Sequence, residues 1–130
     1  MVCRDERPHE VSRHRIKIIV LLTEACTGKP PSGMSHYISA KYSLMGYCKC
    51  LAIELAKFNA TVNMVSPGIV QTNLTAAFPQ KMIEITAESN PLKRLATPKD
   101  VADVVSFLSG EESDYLNGVN ILINGGGAML

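Results

Sequence analysis

Tyr37 and Lys41 stand four residues apart in Tyr37-Ile38-Ser39-Ala40-Lys41. On a helix that spacing places both side chains on one face, one turn from each other. A free phenol holds its proton to about pH 10. An ammonium nearby favours the phenolate and moves the balance toward neutrality. Such a pair could give a proton to a carbonyl oxygen or take one from an alcohol. The same spacing also describes a packing tyrosine beside a solvated lysine, so the pair gains meaning only from what surrounds it.

The surrounding pattern predicts the elements that would hold the pair. Ile16 to Leu22 is nearly all apolar and rich in branched residues, which predicts a strand buried on both faces. Thr27 to Gly33 reads as a loop by its Gly, Pro and Ser content. Apolar residues then recur at three- and four-residue spacing from about Ser35 to Lys57, which predicts a helix. Thr61 to Ser66 reads as a short strand stopped by Pro67-Gly68. Asn73 to Glu88 suggests a helical lid interrupted at Pro79. A further helix starts after Thr97, with Pro98 at its first position and Asp100 in its first turn. Val119 to Ile123 is the last strand.

This alternation predicts an α/β protein with about three parallel strands joined by right-handed helical crossovers. In such sheets ligands bind beyond the carboxyl ends of the strands. Two segments should share that rim: the loop from Thr23 into Tyr37, and Pro67-Gly68-Ile69-Val70-Gln71-Thr72.

Composition narrows the function classes. The chain has 130 residues, 46% apolar and 19% charged, as expected of one globular domain with one core. Its formal net charge of +1 and scattered Lys and Arg give no reason to expect nucleic acid as a partner. The longest apolar run, Ile18 to Leu22, is too short to span a bilayer. Met1 to Arg15 carries no apolar signal-peptide core and reads as a frayed leader, so the expected location is cytoplasmic. Cys3, Cys26, Cys48 and Cys50 lack paired C-x-x-C spacing and read as reduced thiols that pack, with no metal site.

The stretch from Tyr37 through Lys41 to Gly46 resembles the active-site helix of the short-chain dehydrogenase/reductase family. Ala52 to Ala56 resembles the end of that helix, and Val62 to Gly68 the next strand and its Pro-Gly turn. Asn90 to Ala102 matches a late segment of the family, and Gly118 with Asn124-Gly125-Gly126 its final strand. The resemblance runs in order from about Ile16 to Gly126 and is nearest the 3-oxoacyl-carrier-protein-reductase-like branch. It implies a partial Rossmann-like, doubly wound sheet over residues 16–130. It also implies NAD(P)-dependent reduction of a small-molecule carbonyl to an alcohol.

By the same resemblance Tyr37 is the general acid/base, and Lys41 binds the nicotinamide ribose and lowers the tyrosine's pKa. Pro67, Gly68 and Ile69 border the nicotinamide, with Ile69 bonding its carboxamide, and Thr72 contacts the cofactor. A helix cap is the competing role for Thr72. In the family the Tyr-Lys helix and the last helix and strand form subunit interfaces, which implies a homo-oligomer.

Two departures stand out. The family places a serine thirteen residues before the tyrosine, and here that position is Glu24. A carboxylate accepts hydrogen bonds but cannot donate one to a carbonyl. Thr23, a neighbour with a hydroxyl, becomes the third catalytic candidate if the loop has gained a residue; otherwise it is a polar strand terminus. The family's glycine-rich phosphate turn has no counterpart from Met1 to Leu22, so the nucleotide-binding half is expected to be missing. The alternative function is therefore a non-catalytic remnant that acts as an interaction or small-ligand-binding module.

Overall fold

The computed structural model describes residues 15–28, 30–73 and 75–129. Most of the expected leader, with Cys3, lies outside them. Arg15 lies inside, and its guanidinium donates to Asn59 Oδ1 at 3.1 Å and to the carbonyl of Asp114.

Three parallel strands stand in the order β1-β2-β3, with β1 at Ile16–Leu21, β2 at Ala60–Pro67 and β3 at Asn120–Ile123. Ile16 pairs with Ala60 and Leu21 with Val65, while Met64 pairs with Asn120 and Pro67 with Ile123. The central strand is the spine: residues 60–66 are all buried, and Val62, Met64 and Val65 expose nothing. The edge position of β1 leaves it half-buried, not buried on both faces as its composition suggested. Its end residues Ile16 and Leu21 are 58% and 51% exposed.

Helix α1, Ser35–Glu54, covers one face. Its Leu44, Cys48, Leu51 and Ala52 pack on the even-numbered Ile18, Val20, Val62 and Met64. The helix stops three residues before the expected Lys57. A 3₁₀ turn over Ala56–Phe58 tightens its last turn, and Asn59 turns the chain in the left-handed region at φ 57°.

The excursion from β2 to β3 carries α2, Gln80–Ser89, and α3, Pro98–Ser109. The expected break at Pro79 falls between a 3₁₀ turn at Thr75–Ala77 and α2. The expected start of α3 is also found. Thr97 Oγ1 accepts from Asp100 N–H at 3.2 Å, and Asp100 Oδ2 accepts from Thr97 N–H at 2.7 Å, a reciprocal cap.

Helix α3 packs across β1 and β2 on the face opposite α1. The odd-numbered Lys17 marks that face. Its ammonium donates to Ser113 Oγ at 3.0 Å and pairs with Asp114 at 2.6 Å, just beyond α3. Two crossovers that step the same way across a parallel sheet on opposite faces have opposite hands. One of them is therefore left-handed, against the strong general preference and against the sequence expectation. The physical gain is coverage: β2 needs cover on both faces, and a helix beside α1 would leave Thr61, Asn63 and Val65 bare.

The buried Asn63 fixes the approach to β3. It donates to Leu116 O at 2.9 Å and accepts from Val119 N–H at 3.2 Å. Both ends of its amide are thus satisfied inside the fold. Cys26 and Cys48 are buried, and burial pushes both thiols up. Cys50 is exposed, contrary to the expectation that it packs.

Candidate active site

The carboxyl ends of all three strands form one rim. Leu22 N–H donates to Val65 O at 2.7 Å, and Gly68 N–H to Ile123 O at 3.0 Å, so the loops leave the sheet side by side. Tyr37 sits half-buried in the first turn of α1, directly after the loop from β1. Lys41 follows one turn later. Its ammonium donates to Leu21 O at 2.9 Å and lies 5.8 Å from the centroid of the Tyr37 ring. The tyrosine and lysine thus share a helix face, as the spacing required, and the lysine is tied to the end of β1.

Thr23 caps the 3₁₀ turn Glu24–Cys26, its Oγ1 accepting from Ala25 N–H at 3.3 Å. That bond uses an oxygen lone pair and leaves the hydroxyl proton available to another acceptor. Glu24 turns toward β2 and β3. A Cβ added to Gly68 would lie 2.8 Å from Glu24 Oε1, and one added to Gly127 would lie 3.6 Å from Oε2. The missing side chain at Gly68 is what lets this carboxylate reach across the rim.

Pro67 to Thr72 lines the same end of the sheet. Ile69 O accepts from Ala96 N–H at 3.3 Å, Val70 bridges Ala96, and Ala96 O accepts from Gln71 N–H at 2.9 Å. The wall is therefore braced by the segment before α3. Thr72 lies just ahead of the 3₁₀ turn Thr75–Ala77: its Oγ1 accepts from Thr75 N–H at 3.4 Å and its own N–H donates to Thr75 Oγ1 at 2.8 Å.

A cavity of about 330 Å³ opens beside Gly68 and Ile69. Glu24 reaches it, but Tyr37, Lys41 and Thr72 do not line it. Its outer wall includes Asn90, Arg94, Asp100 and Asn124, none of which the sequence reading picked as a site residue. Asn90 Nδ2 donates to Asn124 O at 2.7 Å, and its Oδ1 accepts from Leu92 N–H at 2.9 Å. Gly125 turns against this asparagine at φ 60°, where a Cβ would lie 2.5 Å from Asn90 Oδ1. The available signal was an asparagine beginning each of the two motifs Asn90-Pro91 and Asn124-Gly125-Gly126. Arg94 grips Asp100 with two bonds of 2.7 and 3.0 Å. That grip, helped by the N–H and hydroxyl of Thr97, holds the Asp100 carboxyl well below the usual carboxylate range.

Among the described residues no group of three or more His, Cys, Asp or Glu is placed to hold a metal ion. No described helix is long and apolar enough to cross a membrane.

Comparison with known proteins identifies the family. A family model described as Enoyl-(Acyl carrier protein) reductase matches residues 2–128. The chain belongs to the short-chain dehydrogenase/reductase family and is similar to its 3-oxoacyl-carrier-protein reductases. One such reductase, FabG of Buchnera aphidicola, is 38% identical over 94 residues, which cover 72% of this chain and 38% of the relative. Nodulation protein G of a Rhizobium species is 35% identical over 127 residues, 96% of this chain and 51% of that protein. A crystal structure of a short-chain dehydrogenase/reductase from Brucella melitensis superposes with a TM-score of 0.82 at 32% identity, over 88% of this chain and 46% of that one. The chain thus spans between 38% and 51% of the length of these relatives.

Proposed function

We propose that this chain carries the acid/base and nicotinamide-side part of an NAD(P)-dependent oxidoreductase that reduces a 3-oxoacyl-like carbonyl to an alcohol. The observation that carries the reading is the placement of Lys41, bonded to the end of β1 and one helical turn from Tyr37. Pro67-Gly68-Ile69 leaves the neighbouring strand at the same rim.

The residues present fit the nicotinamide end of the cofactor. Gly68 leaves the rim without a side chain, and the Lys41 ammonium has donors beyond the one given to Leu21 O. A bound nicotinamide would supply hydride. Tyr37 would hand its phenolic proton to the carbonyl oxygen, and Lys41 would hold the ribose and steady the charge left on the phenol. Pro67, Gly68 and Ile69 would wall the ring side, with Thr72 at its far end. Thr23 would donate to the substrate carbonyl. No glycine-rich phosphate cradle stands in the sequence, so the chain alone would bind the dinucleotide weakly. We also propose a cytoplasmic homo-oligomer.

The test is a chimera that joins residues 16–130 to the amino-terminal half of a 3-oxoacyl-carrier-protein reductase. It should reduce an acetoacetyl thioester with NADPH or NADH, and Tyr37→Phe should abolish that activity. Full activity of the Tyr37→Phe chimera would overturn the assignment.

A further inference from the structure

We propose that Arg94 is a positioning residue for the nicotinamide end of the site: by clasping Asp100 it sets the two peptide groups that hold Ile69 and Gln71. The inference rests on the function proposed above and adds to it a residue that acts only through the backbone.

Ala96 stands between two planar peptide groups, and each is held at both ends. In a trans peptide the C=O and N–H point in opposite directions, so fixing one fixes the other. In the first group, Leu95 O accepts from an Arg94 guanidinium N–H at 3.0 Å, and Ala96 N–H donates to Ile69 O at 3.3 Å. In the second, Thr97 N–H donates to Asp100 Oδ2 at 2.7 Å, and Ala96 O accepts from Gln71 N–H at 2.9 Å. The outer ends thus belong to Arg94 and Asp100, and the inner ends to the wall after β2. Arg94 joins the two outer ends itself, with bonds of 2.7 and 3.0 Å to Asp100.

The segment does not take this shape by backbone preference alone. Lys93, next to the clasp, lies in the left-handed region at φ 56°, which is unfavourable for a residue with a Cβ. Such a conformation persists where its surroundings fix it. On the other side of the clasp, Ile69 N–H has no partner among the described residues and is open to the carboxamide. Its aim is set from upstream by Gly68 N–H on Ile123 O, at 3.0 Å, and from downstream by its own residue's carbonyl on Ala96. A loosened clasp would blur that aim, and misplaced contacts weaken a site without removing any group from it. The two side chains are 53% and 30% exposed, so the effect should be modest, about fivefold in affinity.

The experiment titrates the purified full chain with NADH at about 1–10 mM, and in parallel with ADP-ribose, which lacks the nicotinamide, by amide chemical-shift mapping. NADH should shift the Ile69 amide and ADP-ribose should not. Arg94→Ala removes the clasp but leaves the Thr97–Asp100 cap whole, so a role confined to starting α3 would leave the NADH shift unmoved. The expected result is an Ile69 shift per millimolar NADH about fivefold smaller, with faster hydrogen exchange at the Ala96 and Gln71 amides. Arg94→Lys keeps the charge without the fork and should recover only part of both. An Ile69 response in folded Arg94→Ala equal to that of the unsubstituted chain would overturn the inference. Unchanged exchange at Ala96 and Gln71 would do the same. If Arg94→Ala does not fold, the same two readings on Arg94→Lys decide. No NADH shift at Ile69 in the unsubstituted chain would overturn the nicotinamide reading and this inference with it, whereas a shift that the variants leave whole overturns this inference alone.

Discussion

The ammonium of Lys41 bonds the carbonyl of Leu21, twenty residues earlier, and so ties α1 to the end of β1. This anchor gives the lysine a structural duty as well as its proposed ribose contact. Lys41→Met in the chimera should therefore raise the Michaelis constant for the cofactor and lower turnover together. Lys41→Arg should recover anchoring but not the ribose contact, because a planar fork cannot replace a point donor at both partners. Steady-state kinetics with the cofactor varied would show the split. A loss of turnover alone would remove the ribose role.

The isolated chain should be catalytically silent. A few hydrogen bonds from Lys41, Tyr37 and the wall at Pro67 to Thr72 contribute on the order of 1 kcal/mol each. Immobilising a dinucleotide costs several times that. Calorimetry with NADPH and NADH should give a Kd of about 1 mM or weaker. Steady cofactor oxidation with an acetoacetyl thioester, lost in Tyr37→Phe, would contradict this.

Thr23 and Glu24 make opposite demands on the substrate carbonyl. Thr23 keeps a free hydroxyl proton, whereas Glu24 brings only acceptors. In the chimera Thr23→Val should lower carbonyl reduction about tenfold or more, as expected when a donor to the reacting oxygen is lost. Glu24→Ser would then change the rate little. The reverse outcome, with Glu24→Ser much faster and Thr23→Val neutral, would return the role to the family's usual position.

The Asp100 carboxyl gives α3 a defined acid response. Its folded-state pKa is depressed, so its contribution is fully present above the ordinary carboxylate range near pH 4. It is lost as pH falls below that range toward the folded value. Asp100→Asn should lower Tm at neutral pH, and the gap to the unsubstituted chain should close only in strong acid. Thermal melts from pH 7 to pH 2 would check it. A gap that closes by pH 5 would remove Asp100 as its source.

The proposed assembly is tested by the apolar surface left open. Leu21, Tyr42, Tyr47, Ile53 and Phe107 are each at least 46% exposed, and β1 offers an unpaired edge among the described residues. Sedimentation at about 20–50 µM, ordinary assay concentrations, should find dimers or larger species. A clean monomer would count against the proposed homo-oligomer.

Much of this was readable from the chain. The period of α1, the Thr97–Asp100 start of α3 and the Tyr37–Lys41 face follow from local spacing, which the fold leaves intact. What escaped depends on tertiary geometry. No local pattern says that α3 crosses to the other face, because that choice answers to the needs of β2. The Asn90–Asn124 brace joins positions far apart in sequence. The reach of Glu24 depends on Gly68, which read as a turn residue and not as the space for a carboxylate.

Strand pairing has a consequence for how the chain folds. Ile16 meets Ala60 across 44 positions, and Met64 meets Asn120 across 56. No hairpin can nucleate this sheet, and every strand contact must wait for a long loop to close. Helix α1 is the longest described element that can form from neighbouring residues alone, and it lies between the first two partners. Folding should therefore begin with α1 collecting Ile18, Val20, Val62 and Met64, leaving β3 and the cavity until last. The rim that would hold a ligand is then the part of the molecule most easily reopened.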